Sequence, residues 1–450
     1  MMKLTLDKEG LSGKVITREN PYYETARTMW NRAIQSYPLA IVYCNNEEDV
    51  KNSILWARKH QVPIRIRSGG HHYEGYSTGN DVLVIDVSKM QGILLDESAK
   101  KITIEGGVRN RELYEFLGAR GYPFPGGGCP TVGVVGFALG GGWSYSGRMY
   151  GLACDCIVEA RLINYEGKLI IANEKENREL LWALKGSGGG QFGVITSMTF
   201  ALSPQKQEAT LIRIEYSHVT RLDQIKMFQL WQNQIESMCH EANFKLSFYH
   251  SKTKGLGMLL IGICYDNTEK AHKIIEPFIK LGYKLQVLVQ SMSVLEVNRW
   301  IQDAHPDFEH YKSSGRFVKE KFNSKQIQNL LECIEELAEG AVYTALSCYG
   351  MGGEMLKPKK EEVAFSYRDS RYILGFQTVW EDNSYSIANQ FWFKERFKRI
   401  EQQTCGSFVN FPASEIQNYQ KAYWAEAYLK LSQLKNKYDP DGVFDFEQTL

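Results

Sequence analysis

The chain has 450 residues, 43% hydrophobic and 23% charged, ordinary values for a globular protein of two or three domains at ~150 residues each. Lys and Arg total 53 against 52 Asp and Glu, and a formal net charge of +1 gives no overall field for nucleic acid or anionic lipid. The nine cysteines form no CxxC pair, and neither a signal-like start nor about 18 consecutive apolar residues occurs. We therefore expect a cytoplasmic protein with reduced thiols and no membrane span.

The opening of the chain alternates predicted strands with a helix. Asn45 or Asn46 can cap a helix whose first turn carries the acidic residues 47–49, where the helix dipole favours negative charge. Short apolar or alternating runs predict strands at 39–44, 62–67, 82–87 and 101–105.

Residues 106–193 are rich in glycine. Three glycine triplets occur there, at 126–128, 140–142 and 188–190, and the apolar, strand-like segments between them are not typical of a linker. Because glycine permits close backbone approach and positive φ, we expect this region to wrap a bulky group at short range.

Glycine becomes rarer after about residue 203, and amphipathic helices alternate with strands. Leu256–Cys264 and Tyr372–Trp380 are predicted strands, and Ser324 can cap a helix with Ile327, Leu331 and Leu337 on one face. These patterns indicate a second domain in which helices cover a sheet.

The segment RSGGHHYEGYS at 67–77 is the first candidate site. It leaves a strand and turns on two glycines, whose backbone N–H groups can point at phosphate oxygens, while Arg67 adds charge and two histidines offer nucleophiles. The residues that define a P-loop or a Rossmann fingerprint are missing. The segment alone is equally consistent with a glycine turn that carries two surface histidines.

Two further segments carry reactive side chains. Cys129 stands among glycines and before Pro130, which favours exposure, although a lone cysteine is more often a buried apolar residue. Tyr423 can act as an acid or a base, or be an aromatic residue at the edge of the core. We expect no metal site, because the cysteines at 154 and 156 have no neighbouring histidine or second cysteine pair. No Gly-x-Ser-x-Gly elbow indicates a hydrolase.

Four segments together resemble the berberine bridge enzyme-like flavin oxidases, a branch of the vanillyl-alcohol oxidase and PCMH-type FAD-binding superfamily. They are RSGGH at 67–71, GCPTVG at 128–133 with GGG at 140–142, WALKG at 182–186 with GGGQFGVIT at 188–196, and YDPDGVF at 438–444. They occur in the family's order and span nearly the whole chain.

The resemblance implies an α+β protein with two domains. The PCMH-type FAD-binding domain would take residues 1–204, and the substrate domain, an antiparallel sheet covered by helices, would take residues 205–404. The C-terminal segment, residues 405–450, would complete the FAD domain.

The resemblance also implies an FAD attached to the protein at two points. The family's first attachment residue is the histidine after the glycine pair, here His71, which bonds the flavin 8α carbon. The second is the cysteine of CPTVG, here Cys129, which bonds C6 through sulfur. Both points lie on one edge of the flavin, so the two loops must converge, and His72 is then a bystander.

Other cofactor-binding residues follow from their positions in the family's motifs. Val132 matches a position thought to govern oxygen access, where valine accompanies oxidase behaviour and leucine accompanies dehydrogenase behaviour. The remaining implied cofactor contacts are Arg67, Ser68, Gly69, Gly70, His72, Thr131, Gly133, Gly136, Gly141, Tyr145, Ile195 and Asn410.

A flavin oxidase of this kind removes a hydride while a base takes the proton from the neighbouring heteroatom. Tyr423 matches the family's usual candidate base, and it would need help because a free tyrosine has a pKa near ~10. Gln377 is the polar residue on the predicted strand face that would look at the flavin, and it can orient substrate or polarise Tyr423. The chain departs from the family's pattern at Phe137, Phe411, Ala413 and Ala427.

The leading hypothesis is an FAD-dependent oxidase that acts on a sugar, an oligosaccharide or a secondary alcohol and reduces oxygen to hydrogen peroxide. The alternative is a flavin dehydrogenase that passes electrons to another acceptor in secondary-metabolite tailoring. A hypothesis of another class is a non-catalytic flavin- or ligand-binding protein, which the absence of an acid at position 377 keeps open.

Overall fold

Three β-sheets organise the computed structural model, which describes residues 7–281 and 284–450. The first sheet has the strand order β1-β2-β4-β3, and only β1 is antiparallel to its neighbour. Apolar side chains on β2 and β4 are fully buried, which explains why these short runs form central strands. The strands are β1 (Lys14–Thr17), β2 (Ala40–Tyr43), β3 (Ile64–Arg67) and β4 (Leu83–Asp86).

The second sheet contains five antiparallel strands in the order β5-β6-β9-β7-β8. The glycine-rich region, residues 106–193, extends from the end of β6 to the start of β9, so its loops connect strands of this sheet. The strands are β5 (Ile93–Asp96), β6 (Lys101–Glu105), β7 (Ile157–Ile163), β8 (Leu169–Asn173) and β9 (Val194–Ala201).

The third sheet is the largest, with eight antiparallel strands in the order β13-β10-β12-β11-β15-β16-β14-β17. Most of the helices that contact it cover one face, whereas the helix at Val294–Asp303 packs on the other face at β10 and β13, and the rest of that second face lines the cavity described below. Its strands are β10 (Glu208–Tyr216), β11 (Ala242–Ser251), β12 (Gly255–Cys264), β13 (Leu285–Ser293), β14 (His310–Val318), β15 (Ala341–Gly350), β16 (Tyr372–Trp380) and β17 (Cys405–Ser407).

Helices pack against all three sheets, which makes the architecture α+β as predicted. The Phe228 ring of α7 stacks on Phe248 of β11 at 5.0 Å, an example of how the large sheet is covered. The helices are α1 (Tyr23–Arg27), α2 (Glu47–His60), α3 (Asn110–Gly118), α4 (Val134–Leu139), α5 (Gly147–Tyr150), α6 (Arg178–Leu184), α7 (Arg221–Ser237), α8 (Thr268–Ile279), α9 (Val294–Asp303), α10 (Ser324–Glu332), α11 (Ser386–Glu401), α12 (Tyr419–Trp424) and α13 (Tyr428–Tyr438). None of the helices within the described ranges has the length and hydropathy to cross a membrane.

Two predicted helix caps have different outcomes. Asn46, one of the two candidates for α2, accepts a hydrogen bond from the Asp49 N–H at 2.9 Å and is the cap. The prediction that Ser324 caps α10 is wrong, because the Asn323 side chain accepts from the Gln326 N–H and Ser324 is already helical. This helix ends at Glu332, so Leu337 lies beyond it.

The C-terminal segment returns to the first part of the chain after β17. Phe444 is buried in the core that includes β2 and β4, and the buried Lys435 ammonium donates to the Gln191 and Phe444 carbonyls at 2.6 and 2.7 Å. The boundaries at residues 204 and 405 remain a prediction.

A buried ion pair connects β3 to β4. The Arg67 guanidinium donates to the Asp86 carboxylate at 2.5 Å, and both side chains are almost fully buried. Buried charges are stable only when paired, so each group depends on the other.

We predict that Asp86→Ala lowers the free energy of unfolding by about 3–5 kcal/mol, because the Arg67 charge would remain buried without its partner. Urea denaturation of the purified protein measures this loss. The matched control is Glu395→Ala, which removes an exposed carboxylate paired with Lys398 and should leave the denaturation midpoint unchanged. Equal midpoints for the two variants would contradict the prediction.

Candidate active site

A cavity of about 480 Å³ lies where the three sheets and the C-terminal segment meet. The turn after β3 forms one wall, the glycine-rich loops form the floor, and the face of the large sheet that carries Lys245, Tyr349 and Gln377 lies opposite them. Residues from each of these parts line it, among them His71, Cys129, Gly136, Gly189, Gln377 and Phe446.

The turn after β3 presents backbone donors at this cavity. Within the described part of the chain, the peptide N–H groups of residues 69–72 donate to no protein acceptor. Gly69, Gly70 and His71 line the cavity, so these free donors fit the phosphate oxygens of a dinucleotide. Ser68 is fixed beside them, because its hydroxyl donates to the Gly106 carbonyl at 2.7 Å.

Arg67, which is predicted to bind the cofactor, lies outside the cavity lining, and its role in binding stays a prediction. Its guanidinium is bound to Asp86 beneath the turn, and its side chain is absent from the cavity lining. The neighbouring Arg65 lines the cavity instead and donates to the Asp445 carbonyl at 2.6 Å. Because Arg65 and Arg67 are two residues apart on β3, the alternation of side chains does not by itself predict which of them lines the cavity.

His71 and Cys129 converge, as the resemblance implied. The His71 Nε2 atom lies 2.7 Å from the Thr131 hydroxyl, and the Cys129 sulfur lies 3.8 Å from the same oxygen. Both residues line the cavity. Two nucleophiles from loops far apart in sequence thus stand at one edge of the site.

Burial controls the protonation of these nucleophiles. It lowers the pKa of His71 to about 3, with further lowering by Arg109 and His305, so the imidazole is neutral and able to attack. Burial also raises the pKa of the Cys129 thiol, against hydrogen bonds from Thr131 that lower it. The indole of Trp30 stacks on the His71 ring at 5.0 Å and fixes its plane.

His72 is occupied within its own turn. Its Nδ1 atom accepts from the N–H groups of Glu74 and Tyr76, both at 3.3 Å, and burial lowers its pKa to about 4. Because the neutral ring accepts from two backbone N–H groups, it stabilises the turn. This agrees with the expectation that His72 is not the residue that attaches the flavin.

Glycine allows the two loops to touch. A Cβ atom at Gly69 would overlap the Gly133 backbone nitrogen, and one at Gly133 would overlap the Ser68 hydroxyl. A Cβ at Gly136 would meet only open space in the cavity. Gly141, which is also predicted to contact the cofactor, lies outside the cavity lining, and a Cβ there would meet the Phe365 ring.

The remaining residues predicted to bind the cofactor lie on the cavity wall, except Thr131. Thr131 is outside the lining, and its hydroxyl contacts His71 and Cys129, which are in it. Asn410 also donates from its amide to the Phe137 carbonyl at 2.8 Å, which ties the C-terminal segment to α4. These cavity-lining residues are Ser68, Gly70, His72, Val132, Gly133, Tyr145, Ile195 and Asn410.

Tyr423 reaches the cavity, and its hydroxyl makes two hydrogen bonds within the protein. It donates to the Gln448 side chain at 2.7 Å and accepts from the Ala413 N–H at 3.3 Å. Burial raises its pKa well above the ordinary value for tyrosine. This geometry favours a structural role in anchoring the C-terminal segment over the predicted role of base. Gln377 lines the cavity from β16, as predicted.

The structure adds polar residues that sequence reasoning missed. Lys245 on β11 lies directly across from Tyr349 on β15, its ammonium 4.9 Å from the centre of the Tyr349 ring. Both line the cavity, together with Tyr73, His305, Glu309 and Tyr311. Lys245 stands between the apolar residues Phe244 and Leu246, and a charged residue at such a position in a strand is a sequence signal that could have identified it. Glu309 lies in a loop whose sequence gives no such signal.

Two family models match the chain. The model of the FAD binding domain matches residues 38–173, and the berberine and berberine-like model matches residues 407–450. The first therefore covers the turn with His71 and the loop with Cys129. The second covers the C-terminal segment with Asn410.

Known proteins are similar along the whole chain. The glucooligosaccharide oxidase of Acremonium strictum, described as having a 6-S-cysteinyl, 8α-N1-histidyl FAD, superposes with a TM-score of 0.86 at 21% identity over 96% of this chain and 95% of its own. Reticuline oxidase of Eschscholzia californica is 25% identical over 94% of this chain and 85% of its own length.

Uncharacterized FAD-linked oxidoreductase YgaK of Bacillus subtilis (strain 168) is 30% identical over 99% of this chain and 98% of its own length. These matches agree with the PCMH-type fold and with an FAD-dependent oxidoreductase rather than a non-catalytic binding protein. Since the similarity extends over both ends of the chain and over the site, the protein belongs to the berberine bridge enzyme-like family of FAD-linked oxidoreductases.

Proposed function

We propose that the protein is an FAD-dependent oxidase with a doubly attached flavin. It removes a hydride from a hydroxyl-bearing small molecule, a sugar, an oligosaccharide or a secondary alcohol, and oxygen is reduced to hydrogen peroxide. The observation that carries the proposal is the convergence of His71 and Cys129 on the Thr131 hydroxyl at the cavity edge.

The residues present fit an FAD in this cavity. The free N–H groups of residues 69–72 would bind its pyrophosphate, and the open space above Gly136 would take its ring system. His71 and Cys129 would hold the ring edge. When bound, the flavin supplies the acceptor for the hydride.

The substrate would bind between this flavin and the face of the large sheet that lines the cavity. Gln377 offers a donor and an acceptor there, and Trp143 and Phe411 supply apolar surface. Such a mixture of aromatic and hydrogen-bonding groups suits a polyhydroxylated or aromatic alcohol. The names of the relatives, a glucooligosaccharide oxidase and a reticuline oxidase, are consistent with small organic substrates.

Oxygen is the proposed electron acceptor because position 132 carries valine. Val132 lies on the cavity wall beside Gly133, in the loop that holds Cys129. A small side chain leaves room for oxygen to approach, whereas a larger one would fill it. A dehydrogenase with another acceptor is the competing possibility, and oxygen reactivity separates the two.

We predict that His71→Ala and Cys129→Ala each retain covalent flavin through the other residue, because the two attachments form independently at one ring edge. The double variant should release its flavin on acid precipitation. Intact mass and flavin fluorescence of the denatured protein measure both results.

The matched controls are His72→Asn, which keeps an acceptor in the turn, and Cys239→Ala, a half-buried cysteine outside the cavity lining. Both should retain doubly attached flavin. An unchanged flavin absorption spectrum for Cys129→Ala would show that sulfur is not an attachment point and would contradict the double linkage.

We predict that the purified protein is yellow and releases hydrogen peroxide with at least one compound in a panel of glucose, cellobiose and 1-phenylethanol. In Val132→Leu, reoxidation of the reduced flavin by air should slow about tenfold, equivalent to roughly 1.4 kcal/mol of barrier, because the larger side chain obstructs oxygen. Stopped-flow absorbance measures this step.

Anaerobic reduction of Val132→Leu by the same compound is the internal control and should be unchanged. A colourless wild-type protein would contradict the proposed function. Wild-type flavin that reduces anaerobically but reoxidises slowly in air would instead support the dehydrogenase.

A further inference from the structure

Oxidation of an alcohol requires an acceptor for the hydroxyl proton, and the two residues expected to provide or assist it do not suffice. The Tyr423 hydroxyl donates its proton to Gln448 and accepts from the Ala413 N–H, burial raises its pKa, and the Gln377 amide is not a base. Another group that faces the cavity is therefore better suited to accept the proton.

Glu309 faces the cavity at a well-defined position. Its N–H donates to the Trp30 carbonyl at 3.3 Å, and its own carbonyl accepts from the Arg32 N–H at 2.7 Å. These bonds hold Glu309 against the segment whose Trp30 ring stacks on His71. The backbone thus places this half-buried carboxyl on the wall next to the flavin attachment side.

The Glu309 carboxylate has no ion-pair or hydrogen-bond partner among the described residues, since only its backbone is engaged. A half-buried carboxylate without a partner is uncommon in a protein interior, because desolvation favours its neutral form. It is therefore free to exchange a proton with a bound molecule.

Charges on the neighbouring elements tune this group. Burial raises the pKa of Glu309 to about 7, while the ammonium of Lys245, which also lines the cavity, opposes the rise. In turn, the Glu309 charge raises the pKa values of Cys129, Tyr73 and Tyr343. The titratable or charged groups around it are Arg32, His71, Tyr73, Cys129, Lys245, His305, Asp307, His310, Tyr311, Tyr343 and Tyr349.

We propose that Glu309 is the catalytic residue that accepts the hydroxyl proton of the substrate. The inference rests on the proposed alcohol oxidation. The carbinol C–H bond breaks and its electron pair leaves with the hydrogen as hydride to oxidised flavin. The hydroxyl O–H bond breaks at the same carbon, its proton passes to the Glu309 carboxylate, and the C–O bond becomes a carbonyl.

Other basic groups in the cavity are less suited to this role. Burial raises the pKa of Tyr145 to about 12 and also raises the pKa values of Tyr73 and Tyr311, so these phenols keep their protons. His305 donates from Nδ1 to the Ile301 carbonyl at 3.0 Å, and burial and Lys245 lower its pKa. A base whose pKa lies near the working pH combines availability with proton affinity best.

The test is the pH dependence of anaerobic flavin reduction in the holoenzyme, with the panel compound that reduces it fastest. In the wild type the rate should rise with pH up to about 7 and then level, because the acceptor must be deprotonated. Glu309→Gln should lower the plateau by roughly 10²–10⁴-fold and abolish the rise near neutral pH. Glu309→Asp should recover part of the rate.

Asp307→Asn is the matched control, because it removes an exposed carboxylate two residues away that is outside the cavity lining. It should retain the wild-type profile. Reduction of Glu309→Gln at the wild-type rate would overturn the proposal, as would a pH profile unchanged by the substitution.

Lys245→Met tests whether the ionisation of Glu309 controls the rate, because a purely structural role of Glu309 would predict no shift of the pH profile. Because Lys245 lowers the pKa of Glu309, its removal should move the rise in rate to higher pH. A profile that stays in place, or moves to lower pH, would contradict the proposed coupling.

A measurement without substrate separates this proposal from the proposed function. Infrared difference spectra of the holoenzyme between pH 5 and pH 9 should contain a protonated carboxyl band that disappears with an apparent pKa near 7. The band should be missing in Glu309→Gln and present in Asp307→Asn. Its absence in the wild type would overturn the role of Glu309, whereas failure of every panel compound to reduce the flavin would count against the proposed function.

Discussion

The close contact between the turn after β3 and the loop at 129–133 is the constraint on which the site depends. Glycine at 69 and 133 lets the two backbones touch, and Thr131 then brings its hydroxyl to both His71 and Cys129. A side chain at either glycine would separate the loops and with them the two nucleophiles. The buried Arg67–Asp86 pair supports this contact from below by fixing the end of β3 against β4.

The two sides of the cavity differ in their polar groups. On the loop side His71 is neutral, and the Arg65 side chain and the free backbone N–H groups of the turn line the cavity, an arrangement suited to an anionic dinucleotide. The large sheet contributes Lys245 and tyrosines, and the loop before β14 adds the Glu309 carboxylate. The antiparallel register brings Lys245 and Tyr349 together, since residues paired across β11 and β15 point to the same face of the sheet.

Local patterns predicted much of the fold. The strands over Lys101–Glu105 and Tyr372–Trp380 have the predicted bounds, and the other predicted strands differ by one or two residues at an end. The cap at Ser324 failed because a neighbouring asparagine competes for the same role. Gly141 has a positive φ and lies against Phe365, and sequence does not distinguish a glycine that admits a ligand from one that admits a side chain.

The sequence by itself determined the family motifs, the two nucleophiles and the glycines between them, because each depends on residues close together in the chain. Tertiary structure alone decided which polar groups share the cavity. Arg67 is paired with Asp86 on another strand, the Tyr423 hydroxyl donates to Gln448, and backbone hydrogen bonds to Trp30 and Arg32 hold Glu309 at the site. Such assignments depend on contacts between distant segments, which spacing along one chain does not encode.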